Sequence, residues 1–87
     1  PSHLGSRLWA NTRYGRDSAI WQRMRATGVV AFGRTTSPEG GIGPATEASV
    51  YGGPTRNPWD PAHTPGGSSG GAGAAGAAGI VPFAHGS

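Results

Sequence analysis

The sequence lacks cysteine, lysine and any long apolar run, and each absence excludes a class of function. Without cysteine, the 87 residues hold neither a disulfide framework nor a thiolate metal site. Without lysine, they cannot form the phosphate-binding loop that ends in Gly-Lys-Ser/Thr. The longest apolar stretch, 72–84, is rich in glycine and too short to span a bilayer. We therefore expect no membrane partner and, since no secretory leader pattern is visible, a cytoplasmic location.

Groups that ligate metals or transfer protons are also few and scattered. His3, His63 and His85 do not have the spacing of a metal site, and the four acidic residues form no carboxylate pair for acid–base catalysis. We therefore expect no metal and no other cofactor. Asp60 and His63 are close enough along the chain for a local hydrogen bond, which we predict stabilises a turn.

Glycine and proline are abundant instead, with 17 and 8 residues, so the composition approaches that of low-complexity sequence. One interpretation is a non-enzymatic, glycine-rich basic linker or an RNA-associated tail. Five of the seven arginines lie in the first third of a chain with net charge +3. They lack interleaved aromatic side chains and follow helical spacing, so we expect a solvated helix face and no nucleic-acid partner. The linker interpretation leaves the apolar segments "VVAFGR" and "IVPFAHGS" unexplained.

Local patterns predict the order helix, strand, long loop, helix, strand, which is an α/β arrangement with both strands in one sheet. The first helix spans 17–27, with Asp17 or Ser18 as N-cap and Gly28 just past its end. Strands are predicted over 29–34 and 80–86, and 35–65 reads as loop. The second helix spans 69–79, where each glycine costs up to about 1 kcal/mol relative to alanine. Such a helix forms only where missing side chains allow close backbone approach.

The segment Gly66-Gly67-Ser68-Ser69-Gly70 matches G-x-S-x-G, the nucleophile elbow of α/β-hydrolases. That elbow needs a strand leading directly into the serine. Pro61 and Pro65 precede the segment, so the elbow interpretation is not favoured. A helix N-terminus after a glycine-rich loop can also bind an anion, but this property is generic.

Several blocks, taken in order, resemble the amidase signature hydrolases. "GRTTSPE" (33–39), "TRNPWDPAHTPGGSSGG" (55–71) and "AGAAGAAGIVPFAHGS" (72–87) are similar to successive family motifs. The combination of "RNPWDP" with "PGGSSGG" a short distance later is specific, and the match covers nearly the whole chain. The resemblance implies that 1–87 is a partial amidase domain, truncated at both ends, from a mixed-sheet α/β fold.

The family resemblance also implies a chemistry, the hydrolysis of carboxylic amide bonds by a serine–cis-serine–lysine triad. Ser68 occupies the position of the bridging cis-serine, following a cis peptide bond from Gly67, and the nucleophilic serine and the lysine fall outside these residues. Ser87 precedes the position of an aspartate and is not the nucleophile. Gly67, Ser69, Gly70 and Gly71 would support the loop or bind substrate, Gly70 and Gly71 by leaving room for a substrate carbonyl and a neighbouring strand. The expected partner is a small amide, and the segment alone is expected to be inactive.

Some positions depart from the family pattern and leave the substrate open. Thr36 stands where asparagine is common, Gly40 replaces an aromatic residue, and Gly76 replaces a valine. Within the family, an alternative is the amidating A-type subunit of a tRNA-dependent amidotransferase, although "NPWDP" followed by "TP" leans toward general amidases. The sequence does not indicate an oligomeric state.

Overall fold

The computed structural model describes residues 2–31 and 33–87, and helices in this part of the chain are short. Helix α1 spans Ala19–Ala26 and helix α2 spans Gly70–Ala77. Single 3₁₀ turns lie at Arg7–Trp9, Glu39–Gly41 and Ser49–Tyr51. Loops connect these elements, and within the described ranges no helix is long and apolar enough to cross a membrane.

Helix α1 begins and ends where its local signals predict. The Ser18 hydroxyl accepts a hydrogen bond from the Trp21 amide at 3.2 Å, which satisfies one of the orphan donors of the first turn. Gly28 follows the helix with φ +87°, the left-handed conformation that glycine adopts without strain. Arg25 pairs with Asp17 and lies 5.6 Å from the Trp21 ring centre, on an exposed surface. The predicted N-cap and C-terminal glycine are therefore confirmed, and Arg23 and Arg25 are exposed on α1. Arg7 lies in a 3₁₀ turn and Arg13 and Arg16 lie in loops, so these three do not belong to a helix face.

The two predicted strand segments, 29–34 and 80–86, are not paired in a ladder within the described residues. Phe32, which falls in the first of them, lies outside those residues. A strand requires a neighbour that takes up its backbone hydrogen bonds, and no part of 2–31 or 33–87 supplies one. Their apolar side chains are largely exposed, Val30 by 87% and Ile80 by 70%. The mixed-sheet α/β fold therefore stays a prediction.

Burial is concentrated where the first turn of α2 meets the loop at 36–48. Ala48, Ala72 and Pro38 are buried there, and Thr46 is 1% exposed. Gly70 and Gly71 are buried in the same place, while Gly73 and Gly76 on the later turns are more exposed. The glycine-rich helix is thus packed at its N-terminal end, which is the end that positions the candidate site.

The N-terminal segment also packs against this loop. The Gly40 amide donates to the Leu4 carbonyl at 2.8 Å, and the rings of His3 and Tyr51 lie 5.4 Å apart. These contacts hold residues 3–5 beside the 3₁₀ turns at Glu39–Gly41 and Ser49–Tyr51. Leu4 thereby lines a cavity that also contacts Ser68 and Ser69.

Candidate active site

Ser68 lies in the loop that enters α2, and its backbone has the conformation that the family resemblance implies. The peptide bond between Gly67 and Ser68 is cis. A Cβ atom built on Gly67 would lie 2.6 Å from the Gly43 carbonyl oxygen and 3.0 Å from the Ala45 nitrogen, so the close approach of that loop requires glycine. Ser68 is half-buried, and no described residue forms a hydrogen bond with its Oγ.

Thr46 fixes the backbone on both sides of Ser68. Its Oγ1 donates to the Gly66 carbonyl at 2.9 Å and accepts from the Gly70 amide at 2.9 Å. The Ser68 carbonyl lies farther from the same hydroxyl, at 3.4 Å. Because the two near partners flank residues 67–69, one buried hydroxyl ties down both ends of the segment that carries Ser68.

Gly70 and Gly71 make room for threonines. A Cβ atom on Gly70 would collide with Oγ1 of Thr46, and one on Gly71 would lie 2.5 Å from the Thr36 nitrogen. The family resemblance implies that the space left by the missing side chains of Gly70 and Gly71 accommodates a substrate carbonyl and a neighbouring strand. In the structure, Thr46 and Thr36 fill it, because the loop at 36–46 crosses the first turn of α2 directly. Any role of Gly70 and Gly71 toward a substrate stays a prediction.

Hydrogen bonds among Thr36, Thr46 and Thr55 join three loop positions beside the first turn of α2. The hydroxyls of Thr36 and Thr55 lie 2.6 Å apart, and the Thr55 amide donates to the Thr46 carbonyl at 3.0 Å. Thr36, Thr46 and Thr55, named here the threonine cluster, come from positions separated by about ten residues each. The cluster connects the loop preceding "RNPWDP" to the helix that follows "PGGSS".

Ser69 ties the end of the described chain to α2. Its Oγ accepts from the Ser87 amide at 2.8 Å and donates to the Ser87 carbonyl at 3.1 Å. Both hydrogen-bonding functions of the hydroxyl are therefore occupied, and Ser69 makes no side-chain cap on its own helix. Gly86 is close enough that a Cβ atom there would lie 3.1 Å from Cβ of Ser69. Ser69 therefore joins the start of α2 to the segment at 85–87, and its role in the site stays a prediction.

A cavity of about 180 Å³ lies beside Ser68 and Ser69. Its lining includes six hydroxyl-bearing residues: Thr35, Thr36, Ser37, Ser68, Ser69 and Ser87. Leu4 and His85 contribute an apolar and an imidazole side chain. The cavity therefore presents several small polar groups beside Ser68.

The segment "RNPWDPAH" forms an exposed turn held by its own side chains. His63 Nδ1 and Asp60 Oδ2 lie 2.8 Å apart, which confirms the predicted local contact. Asp60 Oδ1 also accepts from the Ala62 amide at 3.0 Å, and Asn57 Oδ1 accepts from the Trp59 amide at 2.9 Å. Across 2–31 and 33–87 no three acidic or histidine side chains come together as a potential metal site.

The structural role of Thr46 and Thr55 was not visible in the sequence. Both lie in loop segments, and their partners are at least nine residues away. One indirect signal exists, since a buried glycine at the start of a helix implies that something approaches it closely. That signal indicates a neighbour for Gly70 and does not identify it as Thr46.

Comparisons with known proteins agree with these motifs. The A-type subunit of glutamyl-tRNA(Gln) amidotransferase from Salinispora arenicola is 47% identical over 87 residues, which is all of this chain and 18% of that protein. Proteins of the same name from Treponema pallidum subsp. pallidum and Cupriavidus necator are 51% and 46% identical over 83 residues, 95% of this chain and 16% of each relative. The chain thus spans less than a fifth of the length of these relatives.

No solved structure matches the chain. The family model described as Amidase matches residues 1–87, which is the full length of the sequence. This match includes the loop of Ser68, the threonine cluster and both helices. The chain therefore belongs to the amidase family, whose signature sequence it carries.

Proposed function

We propose that the protein carrying this segment cleaves amide C–N bonds through an acyl-serine intermediate, with Ser68 relaying protons. The observation that carries the proposal is the placement of Ser68. Thr46 holds the backbone on both sides of Ser68. Ser68 also lines the cavity, and its Oγ forms no hydrogen bond with a described residue. The hydroxyl is thus positioned while both its donor and its acceptor function stay available.

A serine hydroxyl suits a relay because it donates one proton and accepts another. In the proposed reaction, a nucleophilic serine elsewhere in the parent protein gives its proton to Ser68 as Ser68 gives its own to a neutral lysine amine. The nucleophilic oxygen bonds to the amide carbonyl carbon, and the C–N bond breaks as the proton returns to the leaving nitrogen. Water then attacks the acyl-serine ester and releases the acid. The present residues contain no lysine, so the parent protein supplies that group.

Ser69, the neighbouring serine, is a weaker candidate for the relay. Both functions of its hydroxyl are used in bonds to the Ser87 backbone. A relay through Ser69 would break these two bonds at each turnover. The hydrogen bonding therefore favours Ser68 as the proton-transferring group and Ser69 as its support.

The test is Ser68→Ala in the full-length protein, with ammonia release from a small aliphatic amide as the readout. We expect turnover to fall at least about 1,000-fold, as on loss of a triad hydroxyl, with an unchanged circular dichroism spectrum. Ser49→Ala is the matched control, because Ser49 is exposed and does not line the cavity. Unchanged turnover in Ser68→Ala would contradict the proposal.

A second candidate is transfer of the amide nitrogen to an acceptor, with the parent protein acting as a component of a glutamyl-tRNA(Gln) amidotransferase. The names of the relatives, at 46–51% identity, favour it. The first half of the reaction is the same C–N cleavage, and the released nitrogen goes to glutamyl-tRNA(Gln). Such a substrate implies a cytoplasmic protein. The expectation that residues 1–87 themselves make no nucleic-acid contact stays a prediction.

One comparison of assays separates the two candidates. The full-length protein is assayed alone, and then with the other amidotransferase components of its organism and glutamyl-tRNA(Gln), using glutamine or asparagine as amide donor. An amidotransferase component gives amidated tRNA in the complete assembly, whereas a simple amidase gives equal ammonia release in both assays and no amidated tRNA. In either case Ser68→Ala removes the activity.

A further inference from the structure

We propose that Thr46 is the positioning residue of Ser68, acting through the backbone at Gly66 and Gly70. The inference rests on the proposed function, because it assigns to Thr46 the placement of the relay hydroxyl. It goes beyond the motifs that identify the family, since Thr46 lies 22 residues before Ser68 in a loop of its own.

The first argument is that Ser68 has no side-chain bond of its own to hold it. Within residues 2–31 and 33–87, its Oγ has no hydrogen-bond partner, so the hydroxyl is placed by the backbone and by the χ1 rotamer. The Ser68 carbonyl lies 3.4 Å from Thr46 Oγ1, and backbone groups on either side of it, the Gly66 carbonyl and the Gly70 amide, are closer to the same oxygen. Both are bonded to Thr46 Oγ1 at 2.9 Å.

The second argument is that Thr46 replaces the helix's own cap. A serine at the N-cap usually accepts from an amide of the first turn, but Ser69 Oγ is bound to Ser87 and caps nothing. Thr46 supplies the acceptor from 24 residues away. The start of α2 is therefore bonded to the loop that carries Thr46, and Ser68, which precedes α2, is held there with it.

The third argument is that Thr46 is itself held rigidly. It is 1% exposed, its carbonyl accepts from the Thr55 amide at 3.0 Å, and the missing side chain of Gly70 admits it against the helix. A buried hydroxyl whose donor and acceptor functions are both satisfied has one stable orientation. Thr46 is therefore suited to fix a catalytic loop in one position.

The test compares Thr46→Val, which removes the hydroxyl and keeps the volume, with Thr46→Ser, which keeps the hydroxyl. A displacement of about 1 Å in a catalytic group costs about 100-fold in rate. We expect kcat per folded molecule to fall by up to about 100-fold in Thr46→Val, with KM changed less than about twofold, and to recover in Thr46→Ser. A residue with a merely structural role would lower the folded fraction and leave kcat per folded molecule unchanged.

Thr64→Val is the matched control. Thr64 is also a threonine and also bonds to Gly66, accepting from its amide at 3.1 Å, but it is exposed. We expect wild-type kcat for this variant. If Thr64→Val lowers kcat as much as Thr46→Val, the loop as a whole and not Thr46 positions Ser68, and the inference is overturned.

A measurement on the unmodified protein covers the case in which Thr46→Val does not fold. Hydrogen–deuterium exchange of the full-length protein is followed in the peptide spanning 66–73. We expect the Gly70 amide to be among the slowly exchanging positions, because its acceptor is buried. Exchange as fast as in the exposed turn at 60–63 overturns the inference.

The two proposals fail separately. If Ser68→Ala keeps full turnover, the relay assignment is wrong, and the positioning role of Thr46, which depends on it, is wrong as well. If Ser68→Ala abolishes turnover while Thr46→Val keeps wild-type kcat, the proposed function stands and the role of Thr46 is refuted. If both variants lose activity and Thr46→Ser restores it, both proposals are supported.

Discussion

The hydroxyl of Thr36 lies 2.6 Å from the hydroxyl of Thr55, and this hydrogen bond joins two loops 19 residues apart. Removing one partner leaves the other unsatisfied in a partly buried place, which costs about 1–3 kcal/mol. Removing both costs less than the sum of the single changes. The pair therefore contributes to the rigidity of the threonine cluster beside Ser68.

We expect a double-mutant cycle of Thr36→Val and Thr55→Val to give a coupling energy of about 0.5–1.5 kcal/mol. The readout is the opening free energy of the Thr55 amide by hydrogen exchange, since that amide bonds to Thr46. Thr27→Val serves as control, because its hydroxyl bonds within α1 and is exposed. Strict additivity of the two changes would show that the hydroxyls do not interact.

Alanine substitutions at two glycines of α2 are expected to differ in their effect on stability. A Cβ atom on Gly70 would lie 2.8 Å from Cβ of Thr46 and 3.1 Å from Cγ of Pro65, and such overpacking costs about 1–3 kcal/mol. A Cβ atom on Gly73 meets no atom of the described residues within 4 Å, so the higher helix propensity of alanine gives up to about 1 kcal/mol. Thermal unfolding of the full-length protein should show a lower midpoint for Gly70→Ala and an equal or higher one for Gly73→Ala. Equal midpoints in the two variants would contradict the close approach of Thr46.

Ser69→Ala is expected to loosen the segment at 85–87 without unfolding the protein. The change removes both hydrogen bonds to Ser87, including the one that protects its amide. Loss of about 1.4 kcal/mol of local stability corresponds to about tenfold faster exchange of that amide. Ser49→Ala, at an exposed serine, should leave the exchange unchanged. Unaltered exchange in Ser69→Ala would show that the reciprocal bonds do not form in solution.

Local signals in the sequence predicted α1 well. Its cap, its arginine face and the left-handed Gly28 all depend on residues close to one another along the chain. The turn at Asp60 and His63 is of the same kind. The sequence predicts a helix over 69–79, and α2 is observed over Gly70–Ala77, with its buried glycines at the N-terminal end.

Long-range contacts account for what the sequence did not reveal. Thr46 bonds to residues 20 and 24 positions away, and no periodicity or spacing rule relates them. The predicted strands at 29–34 and 80–86 depend on neighbours that this part of the chain does not provide. The cis bond between Gly67 and Ser68 is implied by the family resemblance, which carries long-range information that composition lacks, and it is observed. The relay role of Ser68 stays a prediction.

The cap that Thr46 provides also bears on the order of folding. Because the acceptor for the Gly70 amide lies 24 residues upstream, this capping hydrogen bond forms only after the intervening loop has closed. Loop closure costs chain entropy before any contact compensates for it. The glycine-rich helix has too little intrinsic helix propensity to be stable before that closure. We therefore expect the loop that carries Ser68 to take its final position late in folding, as a result of tertiary collapse.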